Sequence, residues 1–270
     1  MFLQRRNTEV KVLPRLEEPS VKTVPWNPIL ATLFVVAVFF SQRIIGGIVL
    51  SIYLVATGHY NAAYLSKLAN GPSSIYLEFI NIVLCAAAAL IFVHLFLKIY
   101  NQSWSKIGLL APRLKDVAYG LLAVIPYYVL YFIVVTIVSK LVPTLNVQQQ
   151  QQIGFSQVHG ILPLALTFVS LVVIPPLTEE ILVRGFLYTS LKKTLPLLWA
   201  AFVTSLLFAA AHLPEGGASG PLYIAAIDTF VLSLVLIFLR EKTGGLWSSI
   251  TLHAVKNGVA FCALFIFHMS

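Results

Sequence analysis

The sequence predicts an all-α fold, a polytopic membrane helix bundle of about seven transmembrane helices, on three observations. The chain is 59% hydrophobic and only 10% charged over 270 residues, whereas soluble domains carry about 25% charged residues. The apolar residues gather in runs long enough to cross a bilayer, which takes about 20 residues per helix, and the mean hydropathy is +0.88. Basic residues fall in alternate loops between those runs, as the positive-inside rule requires of a multi-pass protein.

Seven runs qualify as spans, at about 28–57, 76–99, 117–142, 160–183, 195–213, 221–240 and 246–267. The first contains Arg43 and is long enough to break in two, which would raise the count to eight. Residues 1–24 are polar, mixed in charge and without a leading apolar core, so they read as a cytosolic tail and not as a removable signal. Residues 25–270 form the transmembrane bundle. Lysine and arginine populate the tail, the 98–115 loop, the 184–193 turn and the 240–242 turn, while the intervening loops hold almost none. That alternation places the N-terminus in the cytosol and the C-terminus outside. The same distribution accounts for the net charge of +8 without a basic domain, so no nucleic-acid partner is expected; the bilayer is. Cys85 and Cys262 both lie in apolar runs and predict no disulfide framework. Trp26, Trp104, Trp199 and Trp247 fall near span ends, the position of an aromatic belt. The Gln148–Gln152 run reads as a solvated linker.

Polar residues inside apolar sequence mark where chemistry is expected, because charge at membrane depth is costly and faces a protein interior or a water-filled cavity. The fourth span carries Glu179 and Glu180 towards its end, with Arg184 directly after it. Glu180 and Arg184 are four apart and share a helix face, so they are placed to pair. Glu179 points about 100° away and is free for another role. Pro175 and Pro176 just upstream loosen the backbone bonding of that helix. His212 ends the next span with Phe208 one turn behind it, and His253 and Asn257 share one face of the last span. Counted from the nearest basic turn, Glu179 lies roughly 18 Å inward, His212 roughly 25 Å, His253 roughly 12 Å and Asn257 roughly 18 Å. These groups can therefore meet near mid-membrane, between the C-terminal helices. A buried carboxylate beside two imidazoles and an amide suits hydrolysis. Glu179 would take a proton from an attacking water, and His253 with Asn257 would donate to the developing oxyanion. No serine or cysteine stands beside a base, which disfavours a covalent nucleophile. Asp228, early in the sixth span, is either wet or bonded to a neighbouring helix.

Glu-Glu-Ile-Leu-Val-Arg (179–184), Phe-Ala-Ala-Ala-His (208–212) and His-Ala-Val-Lys-Asn (253–257) together resemble the three ordered motifs of the CAAX prenyl protease and bacteriocin-processing (CPBP, abortive-infection) membrane proteins. The flanks agree, with Gly185 after Arg184 and Thr243-Gly244-Gly245-Leu246-Trp247 before the last motif. The resemblance covers about 160–260. It implies an intramembrane endopeptidase acting on a membrane-associated, C-terminal or leader peptide, prenylated in some members, through a site open to the cytosol. Glu179, His212, His253 and Asn257 would be catalytic, with Glu180, Arg184 and Phe208 in support. No cofactor is expected. A zinc mechanism is the alternative, with Glu179, His212 and His253 as ligands, but the compact His-Glu-x-x-His signature is missing. Two rival functions are a non-proteolytic scaffold or immunity protein that keeps the motifs for folding, and a transporter. The transporter reading is weakened by the lack of an obvious internal repeat.

Overall fold

The computed structural model describes residues 24–58, 73–149, 151, 155 and 158–268. The tail predicted over residues 1–24 thus lies outside the described residues except for Val24. Among the described residues there is no strand, and seven helices are long and apolar enough to cross a membrane. They are α1 (Pro28–Thr57), α2 (Ser74–Ile99), α3 (Leu114–Leu141), α4 (Ile161–Leu191), α5 (Leu197–Gly217), α6 (Tyr223–Thr243) and α7 (Trp247–Ile266). The chain is an integral multi-pass membrane protein. α6 is the most buried of the seven, while α1 and α3 turn most of their surface outward.

Local chemistry sets the helix limits. Asn27 caps α1 by accepting from the Ile29 amide at 2.7 Å, and Pro28 follows at the first helical position. Gly58, at φ 69°, ends it in the left-handed conformation that glycine adopts without strain. α3 opens on Arg113, whose backbone N–H and guanidinium both bond Asp116. It is interrupted at Ala123, where Pro126 has no N–H for the Leu122 carbonyl. α4 runs eight residues beyond the predicted end at 183, to Leu191. Glu180 and Arg184, at the predicted end, pair inside the bundle as their spacing indicates.

α6 packs against α5, α3 and α7, and α4 lies between α2 and α7. α3 crosses α7 closely at Gly120, where an added Cβ would stand 2.7 Å from the Ser248 carbonyl oxygen and 2.6 Å from Thr251 Cβ of α7. One core gathers Trp26, Phe96, Phe186 and Tyr188; a second gathers Tyr127, Leu232, Leu236 and Leu252. Trp26 corrects the aromatic-belt expectation. It is 1% exposed, stacks on Phe186 with ring centroids 5.0 Å apart, and donates its indole N–H to Ser190 Oγ at 2.6 Å. The serine satisfies the one polar atom of the indole, so the ring can be buried like an apolar one.

Candidate active site

α4 changes its winding around the two prolines. It is π-helical over Val169–Val173, α-helical over Ile174–Glu180 and π-helical again over Ile181–Tyr188. The Leu171 carbonyl would ordinarily receive a hydrogen bond from residue 175 in an α-helix, or from residue 176 in a π-helix. Both are proline, so neither can donate. Asn257 of α7 fills that need, with Nδ2 donating to Leu171 O at 2.9 Å. The bond also fixes the orientation of the amide, because a carbonyl only accepts. One hydrogen of Nδ2 is committed to α4, and the second has no acceptor among the described residues.

Glu180 and Arg184 are fully buried and paired at 2.9 Å through Oε1 and Nη1. Among the described residues, Arg184 Nε and Nη2 have no hydrogen-bond partner. The guanidinium lies instead over the Phe208 ring, with Cζ 4.3 Å from its centroid, an arrangement in which the ring quadrupole attracts the cation. The same Glu180 Oε1 lies 2.9 Å from His253 Nδ1. A carboxylate paired with arginine is an acceptor, so the His253 Nδ1 carries a hydrogen. His212 is held similarly, with Nδ1 donating to the Phe208 carbonyl at 2.7 Å. Both imidazoles therefore commit Nδ1 to the scaffold and keep Nε2 for what stands beside them.

Glu179 stands at the opposite nitrogen of the His253 imidazole from Glu180. Its side chain is 27% exposed, and its Oε2 lies 3.9 Å from His253 Nε2. His212 Nε2 stands 3.9 Å from Oε1 of Glu215. Such separations are too long for direct hydrogen bonds and suit contacts bridged by water. Glu179 lines an open cavity of about 790 Å³ whose walls come from α1, α2, α4 and α5, within the range of small-molecule sites. Its walls are largely apolar, with Val35, Phe39, Leu182 and Leu207 among them. Along α1 it runs from Thr32 to Gly47, about 22 Å of helix.

The structure thus brings Glu179, Glu180, Arg184, Phe208, His212, His253 and Asn257 into one neighbourhood. Glu180, Arg184 and His253 form one bonded group, and Asn257 is tied to α4 one turn further along α7. Further polar side chains lie beside them. Lys256 Nζ pairs with Asp228 Oδ2 at 2.8 Å, and Tyr127 donates its hydroxyl to the other oxygen of Asp228. Asp228 thus bonds neighbouring helices, as one of the two sequence readings had it. Glu215 accepts from Gln151 Nε2 at 2.9 Å, and Gln149 bonds both Pro221 O and the Ile224 amide. Gln149 and Gln151 thus bond the end of α5 and the start of α6, while Gln148 and Gln151 remain exposed to solvent. A loop charge such as Glu215 carries no periodic signal, and only its neighbourhood to His212 distinguishes it.

Glu179, His212 and His253, the zinc alternative, have the right donor types. However, among the described residues no three His, Cys, Asp or Glu side chains are gathered to hold one metal ion. That trio does not fit a metal as it stands.

Residues 161–259 match the family model described as Rce1-like, Type II CAAX prenyl endopeptidase. The match covers the three motifs and agrees with the CPBP resemblance. No curated protein and no solved structure matches the chain.

Proposed function

We propose that this chain, whose residues 161–259 carry a Rce1-like domain, is an intramembrane endopeptidase in which Glu179 activates water without a metal. One observation carries the proposal. Glu179 stands on the wall of an apolar cavity, 3.9 Å from an imidazole whose other nitrogen is held by the buried Glu180–Arg184 pair.

The substrate is a peptide whose apolar portion, a lipid chain or membrane-embedded segment, occupies the cavity and carries the scissile carbonyl to Glu179. A water between Glu179 and His253 donates one hydrogen to the carboxylate and the other to the open Nε2 of His253, and His212 Nε2, beside Glu215, accepts from a second water. As its oxygen attacks the carbonyl carbon, one proton passes to Glu179, a step general bases accelerate by about 10²–10⁴-fold. The oxyanion takes the free N–H of Asn257, a donor of the kind worth about 3–4 kcal/mol in a dry site. Neutral His253 has no hydrogen on Nε2, so it donates to the oxyanion only as an imidazolium, formed when Glu179 passes on the proton it took from water and ended when that proton returns to Glu179 before the C–N bond breaks. Glu180 stabilises that cation through Nδ1–H, as the carboxylate of a serine-protease triad does. Collapse of the intermediate breaks the C–N bond, and the proton on Glu179 goes to the leaving amine.

The proposal is tested by incubating purified protein with membrane-tethered, prenylated and leader-type peptides in H₂¹⁸O with a strong chelator, read by mass spectrometry. Chelator-resistant cleavage with one ¹⁸O in the new carboxylate is expected. Turnover that stops on chelation and returns with zinc would sink the metal-free mechanism. The positive-inside pattern supports an N-terminus in the cytosol, which cysteine labelling of residues 1–24 from either side of the membrane would check.

A further inference from the structure

The cavity extends beyond the Rce1-like segment, and its α2 wall carries polar groups that the reaction above does not use. Glu78, Asn81 and Cys85 recur at i, i+3 and i+7, so they share one face of α2, and all three line the cavity. Asn81 is set close against α1, where a Cβ on Gly46 would lie 2.8 Å from Asn81 Oδ1. Cys85 Sγ donates to that same oxygen at 3.5 Å. Asn81 Nδ2 donates to no acceptor among the described residues.

Glu78 is partly buried on this wall, and among the described residues no cation or donor pairs with it. The facing helix contains Arg43, whose side chain lies outside the described residues. Gly46 lies opposite Asn81, and antiparallel pairing from that point puts Glu78 opposite residue 49. The backbone of residue 43 is then six residues away, about 9 Å along α1. A carboxylate in an apolar membrane wall is costly and marks a function. A cation carried by whatever fills the cavity would offset it.

We infer that Glu78 and Asn81 form a substrate subsite that selects a lysine or arginine side chain, with Glu78 pairing the cation and Asn81 Nδ2 donating to a neighbouring peptide carbonyl. This deepens the endopeptidase reading and rests on the cavity being the substrate channel. It places a specificity determinant in the N-terminal half of the chain, outside the segment that carries the proposed chemistry.

The test measures binding and cleavage separately. A short prenylated peptide is made with one Lys, norleucine or Glu at successive positions. Binding is measured to full-length Glu179→Gln protein in micelles, with Glu78 intact, changed to Gln, or changed to Lys. At one position Lys is expected to bind about tenfold tighter than norleucine. Glu78→Gln should remove that preference, and Glu78→Lys should transfer it to the Glu peptide. A preference that survives Glu78→Gln, equal binding at every position, or no binding at all would overturn the subsite. Cleavage of the norleucine peptide by the protein with Glu179 intact reports on proteolysis alone. A cleaved panel without charge preference refutes only the subsite, and charge-selective binding without cleavage upholds the subsite against the protease reading.

Discussion

Replacing Arg184 by methionine separates what the buried ion pair does for stability from what it does for the reaction. Glu180 and Arg184 are both fully buried, and the pair makes one 2.9 Å contact. Removing one partner strands a carboxylate in the bundle, at a cost of about 3–5 kcal/mol. Losing the cation over Phe208 adds about 1–2 kcal/mol. The sum, about 4–7 kcal/mol, is a large part of the 5–15 kcal/mol by which folded domains typically exceed their unfolded states. Arg184→Met should therefore unfold at much lower denaturant in micelles. The double variant Glu180→Leu/Arg184→Met replaces the pair by apolar side chains, a change that is often neutral or stabilising. It should regain most of the stability. It should not regain activity, because His253 Nδ1 has lost the carboxylate that orients the ring and stabilises its cation. Denaturant unfolding and peptide cleavage on the three proteins decide the matter. A single variant within about 1 kcal/mol of the parent, below the cost of one stranded buried charge, would refute the energetic argument. A double variant with parental turnover would refute the positioning argument.

Two further outcomes follow from the packing. Pro175→Ala restores an intrahelical N–H to the Leu171 carbonyl and competes with Asn257 for it; cleavage should fall while thermal stability holds or rises, and an unchanged turnover would show that the proline–asparagine link does not orient the amide. Gly120→Ala drives a Cβ into α7 beside Ser248 and Thr251, an overpacking expected to cost about 1–3 kcal/mol, to be read as a lowered melting temperature.

Much of this arrangement was legible in the sequence, for identifiable reasons. Hydropathy alone located seven spans, because the bilayer demands a fixed length of apolar helix. The polar constellation stood out because charge is rare at that depth, and the spacing of Glu180 and Arg184 was enough to pair them. The extension of α4 to Leu191 was hidden, since a pair that neutralises itself looks, in one dimension, like a wet helix end. The partner of Asn257 was also hidden, although the two prolines signalled that a carbonyl would need one. Trp26 was misplaced because its burial depends on Ser190, 164 residues away. The cavity owes half its wall to α1 and α2, whose uniform apolar sequence does not say which face turns inward. The Lys256–Asp228 pair and the Gln151–Glu215 contact join segments distant in the chain, and local pattern gives no sign of either.

The central claim is that Glu179 activates the attacking water, and cleavage by the parent protein against Glu179→Gln tests it most directly. Glu179 accepts and donates no direct hydrogen bond among the described residues, so the amide should leave folding and melting temperature unchanged. The account predicts that the parent cleaves a membrane-tethered or prenylated peptide and that Glu179→Gln, equally folded, cleaves it at least about 100-fold more slowly. Equal rates would contradict it, and a Glu179→Gln protein that also performs normally in cells would favour a membrane scaffold instead.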